Sequence, residues 1–298
     1  MTRIRADLLL LLAAAIWGSA FYFQKSAMDH IGPLLFVGLR GFIAALALAP
    51  LAWAEGRRPG TGGVAIIRLG LVGGVAFFVA ALLQQYGIKG TSVTNAGLLT
   101  ALYVIITPLT LWIAGYRRPG ALVTSGIVCA FAGSWLLGGA TAGGFTLADW
   151  AVIAATLFWT AHLIVTDRAA RIDRPFGYTA IQFAVVSALA LPLALLFEPV
   201  AGANVLAAWD SLLFVGLLSS ALTFTLLAIA LRHAPAMEGV LLMSTETLFS
   251  VMAGYWLLGE RLSPLGWLGA AMIVGAVLLV QVGRARRARP ADQAATIT

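Results

Sequence analysis

The sequence predicts an all-α membrane protein with ten transmembrane helices in two inverted five-helix repeats and both termini cytoplasmic. Three observations predict it. First, 61% of the 298 residues are hydrophobic and only 31 are charged. The apolar residues fall into ten blocks of about twenty, the length a helix needs to cross the ~30 Å hydrocarbon core. Second, basic residues crowd alternate loops. Third, the two halves match at a nearly constant offset.

The predicted spans are 8–28, 33–54, 66–88, 95–114, 119–139, 148–167, 176–197, 209–231, 237–258 and 264–283. Residues 1–28 open with Arg3 and Arg5 ahead of an apolar run longer than that of a signal peptide. They read as a retained first span. Fifteen arginines, among them Arg57, Arg68, Arg117, Arg171, Arg232 and Arg284, fall on one side. Lys25, Lys89 and Arg261 fall on the other. That asymmetry is a positive-inside signal and puts both termini in the cytoplasm. The polar, basic stretch 284–298 reads as a disordered tail.

Trp17 matches Trp159, Pro33 matches Pro175, Arg40 matches Gln182 and Pro50 matches Pro192, each 142 positions on. Lys89 matches Arg232 and Thr107 matches Ser250 at 143. The repeats are therefore 1–140 and 141–283. Five spans in each half force the second to insert upside down relative to the first. Inverted repeats are common in secondary transporters, whose substrate sites lie near midplane between the halves.

The net charge of +7 does not form one patch, which argues against a nucleic-acid partner. The single cysteine, Cys129, excludes an internal disulfide and a multi-cysteine metal site. No cofactor or metal is expected. The expected partners are a small-molecule substrate and the lipid bilayer. Nothing in the residue pattern fixes the oligomeric state, and a monomer is compatible with it. No histidine pair, aspartate dyad or Gly-x-Ser-Gly element sits at midplane, which argues against an intramembrane enzyme. The hydroxyl faces are too broken for a continuous polar pore.

Polar residues in lipid are costly and should face an interior or a cavity. Thr100, Tyr103, Thr107 and Thr110 share one face of span four by their spacing. Met243, Glu246 and Ser250 repeat that pattern in span nine, and Trp159, His162 and Thr166 in span six. Span one adds Trp17, Phe21 and Gln24. Span three adds Gln84, Gln85 and Tyr86, and span eight adds Ser219, Ser220 and Thr223. At ~1.5 Å per residue, Trp17, Tyr103, Trp159 and Glu246 all reach midplane. The predicted substrate-binding set is Trp17, Gln24, Gln84, Gln85, Tyr86, Thr100, Tyr103, Thr107, Trp159, His162, Glu246 and Ser250.

Glu246 has two readings: a proton-coupling or substrate-amine site, or a structural partner of a basic group such as Arg40. Arg40 likewise fits either a substrate carboxylate or a lock between the halves. Pro108, inside span four, is the expected hinge. The small-residue pairs Gly70 with Gly74, Gly126 with Ala130 and Ala271 with Gly275 read as packing surfaces.

The duplicated halves, the run Trp17-Gly18-Ser19-Ala20-Phe21 in span one and Leu258-Gly259-Glu260 after span nine resemble the drug/metabolite transporter superfamily, specifically the ten-helix EamA-type exporters. The resemblance spans residues 7–283. Two departures stand out. Glu246 precedes Thr247 where such proteins often carry proline, and Trp159 precedes Thr160 where glycine is usual. The resemblance implies an alternating-access carrier with spans 1–4 and 6–9 around a cavity and spans 5 and 10 outside it. It implies export of amino acids, other metabolites or toxic organic compounds. The aromatic lining is similar to what a neutral or aromatic amino-acid exporter needs; the alternative is export of hydrophobic organic cations or drugs. With 17 Arg, two Lys and abundant Ala, the composition points to a bacterial inner membrane.

Overall fold

The computed structural model describes residues 1–57, 63–113, 115, 120–138, 146–234, 236–259, 261, 263–269, 271–276 and 278–279. It describes side chains for all of these except 104, 108, 134, 137, 138, 237 and 238. Every regular element among them is helical. The predicted tail, Glu260, Arg117 and the side chain of Pro108 lie outside the described residues.

The helices are α1 (Arg3–Ala27), α2 (Pro33–Gly56), α3 (Gly63–Gly90), α4 (Val93–Thr100), α5 (Tyr103–Ile113), α6 (Ala121–Gly138), α7 (Leu147–Ala170) and α8 (Pro175–Phe197). Then follow α9 (Gly202–Ala207), α10 (Trp209–Leu213), a π-helical stretch (Phe214–Leu222), α11 (Thr223–Leu231), α12 (Ala236–Met243) and α13 (Glu246–Leu258). A last apolar helix, α14, runs over Pro264–Ala276. Eight stretches among the described residues are long and apolar enough to cross a membrane. The other two predicted spans, five and ten, coincide with the shorter apolar helices Ala121–Gly133 and Pro264–Ala276. Trp53, Leu196, Phe197, Trp256 and Trp267 are exposed apolar residues, the surface that lipid tails would cover.

Two predicted spans are broken. Span four turns at Ala101–Leu102, between α4 and α5, and span nine turns at Ser244–Thr245, between α12 and α13. The breaks lie 143 positions apart in the chain. At the second, the Ser244 and Thr245 hydroxyls donate to the carbonyls of Leu241 and Leu242. They occupy carbonyls that would otherwise continue the helical ladder. The first break falls six residues before Pro108, so α5 passes through the proline's position rather than ending at it.

The helices approach closely where side chains are absent. A Cβ on Gly18 would lie 2.5 Å from the Glu246 carbonyl oxygen and from Phe249 Cβ, so α1 lies directly against α13. A Cβ on Gly74 would lie 2.6 Å from Val185 Cβ, and Gly70 meets Ile181, so this glycine pair seats α3 on α8. Span five packs on span ten within the chain: Gly133 meets the Gly269 carbonyl, and Cys129 Sγ donates to the Met272 carbonyl at 3.5 Å. Gly275 faces open space.

Helices α2 and α8 form an antiparallel pair held at both ends. Glu198, just past α8, accepts from the backbone N–H groups of Leu34 and Leu35 at 2.8 Å each. Glu55, near the end of α2, accepts from Gly177 N–H at 2.6 Å and Phe176 N–H at 3.4 Å. Each carboxylate thus satisfies donors that the first turn of the other helix leaves unpaired. Neither role was legible from spacing, because each cap lies more than a hundred residues from its helix.

Candidate functional site

A cavity opens where α1, the two broken spans, α7 and the span of α10–α11 meet. Trp17, Phe21 and Gln24 of α1 form one wall, and Arg40 of α2 and Gln84 of α3 reach in beside them. Thr100 and Tyr103 flank the first helix break, and Met243 and Glu246 flank the second. Trp159, His162 and Leu163 of α7 close the opposite side with Ser219, Phe224 and Leu227.

The aromatic side chains are interlocked. Phe224 lies 4.9 Å from Trp17 between ring centroids and stacks on Trp159 at 6.0 Å and 19°. Phe77, fully buried behind the cavity, meets Trp159, His162, Phe183 and Phe224 edge to face at 4.8–5.4 Å. Such arrangements match the ring quadrupoles and hold the walls rigid.

Most polar groups of the site already have partners. Arg40, only 4% exposed, donates through Nε to Ser220 Oγ at 3.0 Å and through a terminal nitrogen to Gln24 Oε1 at 3.4 Å. Its guanidinium also lies 5.6 Å from the centroid of the Phe77 ring, a cation–π contact. Gln84 Nε2 donates to Thr100 Oγ1 at 2.9 Å. His162 Nε2 lies 2.8 Å from Gln182 Oε1. Trp17 Nε1 donates to the Ser219 carbonyl at 3.0 Å. That carbonyl lies within the π-helical stretch, where the wider turn redirects backbone carbonyls.

Three cavity groups lack such partners. No hydrogen bond or ion pair reaches the Glu246 carboxylate among the described residues, and it forms no ion pair with Arg40. The Tyr103 hydroxyl and the Trp159 indole nitrogen are buried with no hydrogen-bond partner among the described residues. The structure therefore leaves the two interior charges separate, although both face one cavity.

Eight of the twelve predicted site residues line the cavity: Trp17, Gln24, Gln84, Thr100, Tyr103, Trp159, His162 and Glu246. Four do not. Gln85 is buried away from it and donates to the Gln24 carbonyl at 3.0 Å. Tyr86, two residues past Gln84 and so on another side of α3, is 47% exposed. Thr107 pairs with the Thr160 hydroxyl at 3.0 Å, which packs α5 on α7. Ser250 donates to its own helix at the Thr247 carbonyl and fills the space beside Gly97. Leu163, Phe224 and Leu227 were missed. Phe224 follows directly on the hydroxyl run Ser219, Ser220 and Thr223, which was the available signal.

The helical bundle, with eight described stretches long and apolar enough to cross a membrane around a largely aromatic cavity, defines a multi-pass membrane protein. The sequence model of the EamA-like transporter family matches residues 4–139 and again 146–282. The chain belongs to that family, within the drug/metabolite transporter superfamily, and is a membrane transporter. It is similar to an uncharacterized transporter of Archaeoglobus fulgidus, 28% identical over 287 residues, covering 94% of this chain and 87% of that protein. It is also similar to the uncharacterized transporter YwfM of Bacillus subtilis, 23% identical over 287 residues, covering 92% and 93%. A solved crystal structure shares the fold with a TM-score of 0.74 at 21% identity, covering 96% of this chain and 99% of that one.

Proposed function

We propose that this transporter exports neutral or aromatic amino acids and related small metabolites across a bacterial inner membrane by alternating access around the central cavity. In this reading residues 1–140 and 141–283 are inverted five-helix repeats with both termini in the cytoplasm. The twofold family match and the helix breaks 143 positions apart support the duplication. The odd span number in each half supplies the inversion.

One observation carries the reading: Arg40 and Glu246 face the same aromatic cavity without pairing with each other. Opposite charges in an apolar surround attract strongly unless something holds them apart. Ser220, Gln24 and Phe77 hold Arg40 in place, and α1 packs against the backbone of Glu246. A zwitterion complements such a site, with its ammonium at Glu246 and its carboxylate toward the polar wall.

Glu246 is also the cavity charge with no partner among the described residues, which favours a second reading, export of hydrophobic organic cations. A substrate panel in proteoliposomes separates the two. Saturable flux of neutral or aromatic amino acids, abolished in Glu246→Gln, supports the first. Flux of lipophilic cations with none of amino acids overturns it. Flux that neither saturates nor exchanges would indicate a channel.

A further inference from the structure

The duplicated positions of the chain are not used alike. Trp17 and Trp159 stand 142 positions apart and both line the cavity. Trp17 has its indole N–H committed to the Ser219 carbonyl, on the π-helical stretch of the eighth span. The matching stretch of the first half lies on α3, which is a regular helix from Gly63 to Gly90. A regular helix keeps its carbonyls in its own ladder. Trp159 therefore finds no freed carbonyl there, and its N–H has no acceptor among the described residues. An indole N–H only donates, and a buried donor without an acceptor destabilises the fold that contains it.

Tyr103 and Glu246 form the second matched pair, 143 positions apart, each opening the helix that follows a break. Glu246 brings a carboxylate with no partner among the described residues. Tyr103, 6% exposed, brings a hydroxyl with none. Arg40, Gln24, Gln84, His162 and Trp17 each bond to protein atoms through at least one of their polar groups. Among the described residues, the Tyr103 hydroxyl and the Trp159 N–H are the cavity's two neutral donors that are fully buried without a partner.

We propose that the Trp159 indole N–H and the Tyr103 hydroxyl are the specificity-determining donors of the site. They hold the acceptor end of a substrate whose primary ammonium lies at Glu246. This assignment rests on the carrier reading above and deepens it. Because both donors are neutral, the acceptor can be a carboxylate or an uncharged carbonyl. The substrate class is then an aromatic or apolar primary amine bearing a carbonyl oxygen, which includes amino-acid amides as well as amino acids. An amine with no acceptor leaves both donors orphaned and binds more weakly.

The test is competition against labelled L-phenylalanine on the purified full-length protein, with phenylalanine, phenylalaninamide and 2-phenylethylamine as competitors. A binding readout keeps transport-dead variants informative. The unmodified protein is expected to prefer the acid and the amide over the amine by about tenfold or more, the effect of losing one or two hydrogen bonds. In Trp159→Phe and in Tyr103→Phe that ratio is expected to narrow to about threefold or less. A merely structural role would weaken all three ligands alike and leave the ratio intact. An intact ratio in both variants overturns the assignment while leaving the carrier reading standing. Equal binding of acid, amide and amine by the unmodified protein also overturns it. Absence of specific phenylalanine binding to the unmodified protein overturns the carrier reading and this assignment together.

Discussion

Replacing Glu198 with alanine tests the clasp between α2 and α8 directly. The carboxylate accepts two backbone N–H groups at 2.8 Å, from Leu34 and Leu35 at the start of α2. Loss of a helix cap costs about 1 kcal/mol, and a charged acceptor near the positive end of the helix dipole adds up to about 1 more. We expect about 2 kcal/mol of destabilisation. The structure supplies an independent way to remove the same contact. A Cβ on Gly32 would lie 2.2–2.6 Å from the Glu198 carboxyl atoms, so Gly32→Ala expels the carboxylate. That variant should also cost about 2 kcal/mol, and the double variant no more than either single. Glu55→Ala breaks the other cap, at the far end of a 24-residue helix about 36 Å long. Its effect should add to that of Glu198→Ala within about 0.5 kcal/mol. The assay is reversible unfolding of the purified protein in mixed micelles by sodium dodecyl sulfate. Additive costs for Gly32→Ala and Glu198→Ala would refute the reasoning, because two routes to one lost contact cannot count it twice.

Three further outcomes follow from the packing and the polar contacts. Gly18→Val places branched carbons against the Glu246 carbonyl and Phe249, so it should lower the melting temperature and weaken substrate binding by about tenfold or more. Trp17→Phe removes the donor to the Ser219 carbonyl while Thr223 still donates to it, so it should cost only about 1 kcal/mol in the same unfolding assay. Asp149→Ala breaks the capping box with Thr146 and the link to the Thr91 hydroxyl, for about 1–2 kcal/mol, with protease susceptibility expected to rise near residue 146.

Much of the helical pattern was legible because bilayer thickness imposes a length that apolar runs reveal. Spans two, seven and eight, predicted at 33–54, 176–197 and 209–231, match Pro33–Gly56, Pro175–Phe197 and Trp209–Leu231 closely. The two helix breaks were not legible. The pattern Thr100, Tyr103, Thr107 and Thr110 assumes one uninterrupted helix, and the turn at 101–102 resets its phase. Thr100 and Tyr103 then face the cavity, while Thr107 turns to Thr160 and Thr110 donates to its own helix at Ile106. Midplane depth was a better guide than polarity, since Trp17, Tyr103, Trp159 and Glu246 all line the cavity. Depth alone does not give rotation about the helix axis, which explains why Gln85 and Tyr86 point away from it although Gln84 does not. The role of Phe224 arises from packing across spans one, three and six, which no single helix encodes.

The central claim is a saturable carrier with one cavity serving both sides of the membrane. The most direct measurement is counterflow: proteoliposomes loaded with unlabelled phenylalanine and diluted into a trace of the labelled amino acid. A carrier of this kind gives transient accumulation of label above equilibrium, lost in Trp159→Ala and Glu246→Gln. Label that only equilibrates, at a rate indifferent to the internal load and to both substitutions, would contradict it.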